Sequence, residues 1–414
     1  MRRWWPLTLR GTGALVFALG CLVAAGRLGA VQLQWFGLLL AALVAGALVF
    51  VRAARRRGEL TRILPPATPH AGDEVAVRLL VRVTSAAGSP AGRWEDETPP
   101  GFEGEAAGPF PAVPGSWSGA DRTVALDHRL RATTRGVHWL GPFRMRVTDP
   151  FGLARRTVEW GEQSRIVVAP RIVELAPLGA VTGRSGGAHP MPANRYGQGF
   201  DDLVARPWMP GDTMRRIHWR ASAHRDELMV RQEEREASPD ARVVLDRGVE
   251  RYSPAASGAP GSDPAFEAAV SAAVSAAARL ARDGFTVELV DATGGALCAP
   301  VPAADEAALA AMCAAVADLR ARAGGALSTE AMGLAGDLRG PVVLVTGALE
   351  PEAAAALAPG ASHATLPVLL GVGATQAAMD AAEGWCARAA AADDRAIAAA
   401  WREAVDAGAD RGAH

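Results

Sequence analysis

Two apolar runs open the chain. The first extends from Gly11 to Gly26 and continues past Arg27 towards Leu33, and the second, Leu33 to Val51, carries no charge. A bilayer core takes about 20 apolar residues in helical form. The second run has that length, and the first reaches it when Arg27 extends its charged head to the interface. The pattern predicts a transmembrane helical hairpin over residues 1–57. From Leu60 the period changes. Val75, Val77, Leu79, Val81 and Val83 alternate with Ala76, Arg78, Leu80 and Arg82, as in a strand buried on one face. Val124, Leu126 and Leu130, Met145 with Val147, and Ile166-Val167-Val168 continue the theme. Gly and Pro clusters separate these runs at Pro99-Pro100-Gly101 and from Gly108 to Gly115. Residues 58–176 read as a β-rich, sandwich-like domain without a long amphipathic helix.

Residues 177–238 have no such period. Pro177–Gly199 is rich in Gly, Pro, Ser and Asn and reads as a linker, and Asp201–Arg235 is dense in charge and Trp. From residue 239 to 414 short apolar strands alternate with helices. Strands are expected at Val243–Leu245, Phe285–Val290, Val342–Thr346 and Leu366–Val372. Helices are expected at Ala265–Arg282, Asp305–Arg322 and Glu350–Ala358, with a helical tail from Gln376 to Val405. The first of these helices presents Phe266, Val270, Val274, Ala277 and Ala281 on one face. Continuous apolar strands between helices predict a parallel sheet covered on both faces, an α/β Rossmannoid domain. The fold class expected is a multidomain α+β membrane protein.

Composition refines the picture. Of 414 residues 50% are hydrophobic and only 6% aromatic, so much of the core is built from small side chains. The net charge of −1 gives no reason to expect a nucleic-acid partner. The chain contains no lysine, so arginine is a background residue and no single arginine marks a site by its type. Cys21, Cys298, Cys313 and Cys386 have neither the density of a disulfide framework nor zinc-ligand spacing. They are expected to be reduced thiols. Arg2, Arg3 and Arg10 precede the first apolar run, and Arg52, Arg55, Arg56 and Arg57 follow the second, with only Arg27 between. Positive flanks stay inside, which predicts a multi-pass plasma-membrane protein with its soluble domains in the cytoplasm. A competing reading takes Ala18-Leu19-Gly20-Cys21 as a lipoprotein signal. Its Leu and Ala stand in the reverse of the usual order, and the uncharged span that follows argues for retention.

Two stretches go beyond pattern. One is Thr134-Arg135-Gly136-Val137-His138-Trp139-Leu140-Gly141-Pro142-Phe143, followed by Asp149-Pro150-Phe151-Gly152-Leu153. The other runs from Arg206-Pro207-Trp208-Met209-Pro210-Gly211-Asp212-Thr213-Met214-Arg215-Arg216-Ile217-His218-Trp219-Arg220 through Ala221-Ser222-Ala223 to Glu234. Together with the apolar hairpin they resemble the bacterial family known as domain of unknown function fifty-eight. Trp208 and Thr213 stand where that family commonly has Tyr and a second Asp. The resemblance implies a membrane hairpin, a β-rich module and a von Willebrand factor A-like domain. It also implies association with MoxR-type AAA+ ATPases in assembling or activating other, unknown client proteins.

Within the second motif, Pro210-Gly211-Asp212 is turn chemistry. Arg215, Ile217 and Trp219 at period 2 suit a strand, while Arg216 and Arg220 at i, i+4 suit a helix. Arg206, Arg216, Arg220 and Arg225 face Asp201, Asp202, Asp212 and Asp226 in composition. Residues Arg206, Gly211, Asp212, Arg215, Arg216, Ile217, Trp219, Ser222 and Arg225 therefore form either a clamp between domains or a partner-docking surface. The clamp is favoured because ion-pair networks are commoner than sites.

A von Willebrand A-like domain often holds Mg²⁺ through Asp-x-Ser-x-Ser at the end of its first strand. Here Asp246 is followed by Arg247-Gly248-Val249-Glu250, with no Ser two or four residues on. Asp291 and Thr346 end later strands and face the same crevice. Neither metal nor cofactor is expected. His218 and His224 lack metal-ligand spacing, Ser222 lacks a Gly-x-Ser-x-Gly elbow, and without lysine there is no P-loop. The function expected is a non-enzymatic membrane-anchored scaffold or adaptor that binds protein partners. The alternative is a metal-dependent hydrolase with its site near Asp246 and Asp291.

Overall fold

The structure, a computed structural model, describes residues 5–53, 57–84, 91–114, 122–178, 204–207, 222–224, 228–232, 240–334 and 340–412. By their contacts the residues group into two units. One is Met1–Arg171 with Ala259–Ser262 and Cys313–Leu319, and the other is Ile172–Gly258 with Asp263–Met312 and Arg320–His414.

The first unit begins with α1 (Leu9–Leu28) and α2 (Val31–Ala53). Thr8 caps α1 by accepting the Gly11 N–H at 3.1 Å, and Gly29, at φ 66°, ends it in the left-handed conformation that a non-glycine residue resists. The chain then reverses, and Phe17 meets Phe36 edge-on at 6.3 Å. Both helices are long and apolar enough to cross a membrane. The strands follow as β1 (Arg57–Ile63), β2 (Glu74–Thr84), β3 (Gly92–Asp96), β4 (Phe102–Glu103), β5 (Ala107–Phe110), β6 (Arg122–Ala132), β7 (Gly136–Leu140), β8 (Phe143–Thr148), β9 (Arg155–Trp160) and β10 (Ser164–Val168). Among the described residues they pair as two four-stranded antiparallel sheets, ordered β1-β2-β6-β4 and β5-β3-β8-β9, and a β7-β10 ladder. The period-2 pattern of β2 explains the packing. Val75, Val77, Leu79, Val81 and Val83 are all buried, in one core with Trp94, Phe110, Phe143 and Met145 from the second sheet. Among the described residues of the unit, one ion pair is fully buried: Arg62 bonds Asp96 through Nε at 3.1 Å and Nη2 at 2.6 Å.

The second unit contains β11 (Val204–Pro207), β12 (Met229–Gln232), β13 (Asp240–Leu245), α3 (Pro264–Arg282) and β14 (Thr286–Asp291). After α4 (Glu306–Ala315), which runs across the boundary between the groups, come β15 (Pro341–Thr346), α5 (Pro351–Ala355), α6 (Ala358–Ala361), β16 (Leu366–Val372), α7 (Gln376–Ala381), β17 (Cys386–Ala390) and α8 (Asp394–Gly412). Among the described residues, five strands form a wholly parallel sheet in the order β14-β13-β15-β16-β17. Asp263 caps α3 by accepting the Phe266 N–H at 2.8 Å. The expected face of α3 is buried, and so are Ala268, Ala269, Ala272, Ala273 and Ala276. Its small side chains let it be enclosed all round rather than along one stripe.

Two expectations fail. The tail from Gln376 to Val405 is not one helix: Gly384, at φ 81°, turns the chain into β17, which pairs in parallel with β16 from Val368↔Cys386 to Val372↔Ala390. Cys386-Ala387-Arg388-Ala389-Ala390 favours helix by intrinsic propensity, and ladder pairing overrides it. The helix expected to reach Arg322 stops at Ala315. Beyond it the carbonyls of Val316, Ala317 and Leu319 accept from the buried Arg135 guanidinium at 3.3, 2.9 and 2.8 Å.

Candidate functional site

Open parallel sheets place ligands outside the carboxyl ends of their strands, where the strand order reverses. In this sheet the chain goes from β13 out to β14, then back across β13 to β15. The reversal lies between β13 and β15, and Asp246 and Thr346 stand at their ends. Asp246 is completely buried, and Thr346 likewise.

The Asp246 carboxylate is fully engaged. Oδ1 accepts the Gly248 N–H at 2.9 Å and Arg251 Nη2 at 2.8 Å. Oδ2 accepts the Thr346 hydroxyl at 2.7 Å and Arg251 Nε. A short turn at Val249–Arg251 brings the Arg251 guanidinium back over the strand end, and Nη2 also reaches the Gly325 carbonyl at 3.2 Å. The Tyr252 hydroxyl donates to the Asp246 carbonyl at 3.0 Å. Burial, reinforced by the Asp246 charge, pushes the Tyr252 pKa well above its ordinary value, so this phenol stays a donor.

Asp291, at the end of β14, is held in the same manner. Oδ1 accepts the Thr293 N–H at 2.9 Å, the Thr293 hydroxyl at 2.6 Å and the Gly295 N–H at 3.2 Å. Oδ2 accepts Arg322 Nη2 at 2.5 Å, with Arg247 Nη1 at 3.9 Å. Burial alone raises the Asp291 pKa. The hydrogen bonds from Thr293 and Gly295 and the Arg322 charge outweigh it and hold the group below the usual carboxylate range. Arg247 spends Nε and Nη2 on the Arg320 carbonyl at 3.0 and 2.8 Å. The 246–252 and 320–325 segments are thereby laced together, so closely that a methyl group on Gly324 would strike the Gly248 Cα.

This arrangement does not fit a divalent metal. Mg²⁺ needs several free oxygen ligands in octahedral geometry. Here a guanidinium sits on both Asp246 oxygens, Thr346 is already bonded to one of them, and no Ser follows at the expected positions. Among the described residues no group of three or more His, Cys, Asp or Glu side chains is gathered for a metal. The partner of Asp246 was not evident in the sequence. Arg247 is adjacent in the chain, but Arg251, five residues on, makes the bidentate contact. A buried strand-end Asp without hydroxyl ligands needs a counter-charge, and that requirement was the available signal.

Most of the second motif lies outside the described residues: Gly211, Asp212, Arg215, Arg216, Ile217, Trp219 and Arg225. Arg206 is placed by its backbone in β11, paired with Val230 of β12. The two strands form an antiparallel ladder from Val204↔Gln232 to Pro207↔Met229, so the motif is the connection between paired strands. Ser222 is buried, and its hydroxyl accepts the Met229 N–H at 2.8 Å, fixing the start of β12.

Residues 204–371 match the family model described as Protein of unknown function DUF58. This part of the chain belongs to the DUF58 family. The DUF58 stretch starts at the β11-β12 ladder and ends inside β16. It includes the motif, Asp246, Arg251, Asp291, Arg322 and Thr346, and leaves out the apolar helices, the antiparallel sheets of the first unit and everything from α7 onward. No curated protein matches the chain.

Proposed function

We propose that the protein is a non-enzymatic, membrane-anchored scaffold or adaptor whose DUF58 region binds protein partners. One observation carries this reading. The crevice at the ends of β13, β14 and β15, where an open sheet would hold a ligand or metal, is filled by the protein's own arginines on Asp246 and Asp291. Both carboxylates are committed to structure, so among the described residues neither serves there as a free general base or a metal ligand. The sheet order and the Asp at the first strand end support a von Willebrand A-like assignment. The two antiparallel sheets over one core support a β-sandwich for the preceding module. The apolar helices support a membrane hairpin, and the arginines flanking them favour a cytoplasmic location for everything after residue 57. Within the motif between β11 and β12, Arg225 is the proposed docking contact and Trp219 the proposed clamp, and the family resemblance makes a MoxR-type AAA+ ATPase the first partner to test.

The test is co-purification of that ATPase with the full chain from membranes, using wild type and two variants. Arg225→Ala is expected to fold normally and lose the ATPase. Trp219→Ala tests the clamp reading of the same segment, which predicts a loss of about 3–5 kcal/mol, the usual cost of truncating a buried Trp. Absence of the ATPase from the wild-type complex contradicts the partner assignment, and full retention by Arg225→Ala contradicts the docking role of the motif.

A further inference from the structure

At the base of α1 and α2 the helices are fastened to the β module of the same unit. The Thr8 N–H donates to the Leu153 carbonyl at 2.9 Å and the Arg155 N–H to the Pro6 carbonyl at 2.8 Å, with Leu7 bridged to Ala154 between them. Leu7, Val44, Ala47, Val51 and Ala154 make a small buried core beneath this join. The approach is so tight that a methyl group on Gly11 would fall on the Leu153 carbonyl. The turn at Asp149–Leu153 is equally fixed: Asp149 is buried and accepts the N–H groups of Phe151 at 2.9 Å and Ala154 at 2.5 Å. Yet this rigid turn holds Phe151 64% exposed, beside Leu43, Gly46 and Phe50 of α2 in an apolar groove of about 370 Å³. An aromatic ring fixed outward alongside an apolar helix suits the level at which bilayer and headgroups meet.

A second cavity, of about 300 Å³, opens at the end of α2. Pro6, Leu48 and Val51 line one side, and Arg52, Arg155 and Arg156 complete it. Arg52 and Arg155 are exposed and Arg156 is half-buried. Elsewhere on these sheets arginines meet carboxylates: Arg144 has Glu97 and Glu159, Arg78 has Asp127, Arg93 has Glu105. Among the described residues none of these three has a carboxylate within 4.0 Å, and Asp149, which lines the neighbouring groove, spends both oxygens on backbone N–H groups. Three arginines lining one cavity, with no carboxylate partner among the described residues, suit an anion, and their planar forks match phosphate oxygens. The apolar wall beside them suits a chain attached to that phosphate.

We propose that Arg52, Arg155 and Arg156 bind the phosphodiester of an anionic membrane phospholipid, with Phe151 inserted beside its acyl chains, so that the β module is held against the bilayer surface. The proposal rests on the membrane-anchor reading. Free phosphate would satisfy the arginines alone, but the apolar groove and the outward Phe151 favour the lipid.

The test uses the full chain in a non-ionic detergent, with its melting temperature measured as phosphatidylglycerol, phosphatidylcholine or inorganic phosphate is added. A ligand of the folded state raises stability by mass action. Phosphatidylglycerol is expected to raise the melting temperature, and the other two are not. The Arg155→Gln/Arg156→Gln variant is expected to melt normally without lipid and to bind phosphatidylglycerol about tenfold or more weakly, having lost charged hydrogen bonds. Should that variant fail to fold, Arg155→Gln, at an exposed position, replaces it. Equal shifts with phosphatidylcholine, a full shift with inorganic phosphate, or an undiminished lipid effect in the variant would overturn the proposal. An alkaline carbonate wash of membranes separates the two readings. A chain released by the wash ends the anchor reading and this proposal with it. A chain retained without phosphatidylglycerol preference ends only this proposal.

Discussion

The arginines at the ends of the parallel strands and those at the base of the helices have the same chemistry and opposite circumstances. Arg251 and Arg322 sit on buried aspartates, and each carboxylate also takes backbone and hydroxyl donors. Arg52, Arg155 and Arg156 line a cavity and meet no carboxylate among the described residues. In a chain whose basic side chains outside histidine are all arginine, residue type cannot mark a site, but pairing can. Satisfied arginines close the crevice that fold topology offers as a ligand site. Arginines with no carboxylate partner among the described residues mark a place that topology does not predict.

The largest expected effect follows from breaking the satisfied side. Arg251→Ala leaves the fully buried Asp246 carboxylate without its counter-charge, and loss of one partner of a buried pair costs about 3–5 kcal/mol. Urea unfolding of the full chain in detergent should show a loss of that order. Adding Asp246→Asn should recover a large part of it, because the uncompensated charge disappears with the carboxylate. A neutral Arg251→Ala would mean that the pair does not close the crevice.

A smaller effect sharpens the contrast through pH. His128 is buried on β6 beside Trp94, with both ring nitrogens lacking hydrogen-bond partners. Burial holds its pKa below the ordinary histidine value, against a partial counter-effect from Asp96. The unfolded chain therefore takes up a proton that the folded chain refuses. Stability of the β module should fall as pH drops through about 6.5 and level off below the folded pKa. Asp291 has a lowered pKa, so its contribution is complete above about pH 4 and is lost only as pH falls through the folded value. Melting curves between pH 8 and about pH 5 should thus show a slope that His128→Leu removes. An unchanged slope would contradict the assignment to His128.

The fold was legible where burial imposes a period. Val75 to Val83 announced β2, and the Val243, Val342 and Leu366 runs announced three strands of the parallel sheet. It was illegible where composition and environment disagree: Ala387, Ala389 and Ala390 look helical, yet they occupy an edge strand defined by its neighbour. Of the crevice, Asp246, Asp291 and Thr346 could be read from strand ends. Arg251 could not, because its reach depends on the turn at Val249–Arg251. The three arginines of the cavity at the end of α2 come from segments about a hundred residues apart, brought together where residues 6–8 and α2 pack against residues 153–155.

The central claim is that the protein's own guanidinium occupies the position a metal would need at Asp246. The most direct measurement is the melting temperature of the full chain in detergent with and without millimolar Mg²⁺ or Mn²⁺. A metal present at a hundredfold excess over its Kd would add about 2.7 kcal/mol. The account predicts no shift with either ion. A clear rise in melting temperature that Asp246→Ala abolishes would contradict it.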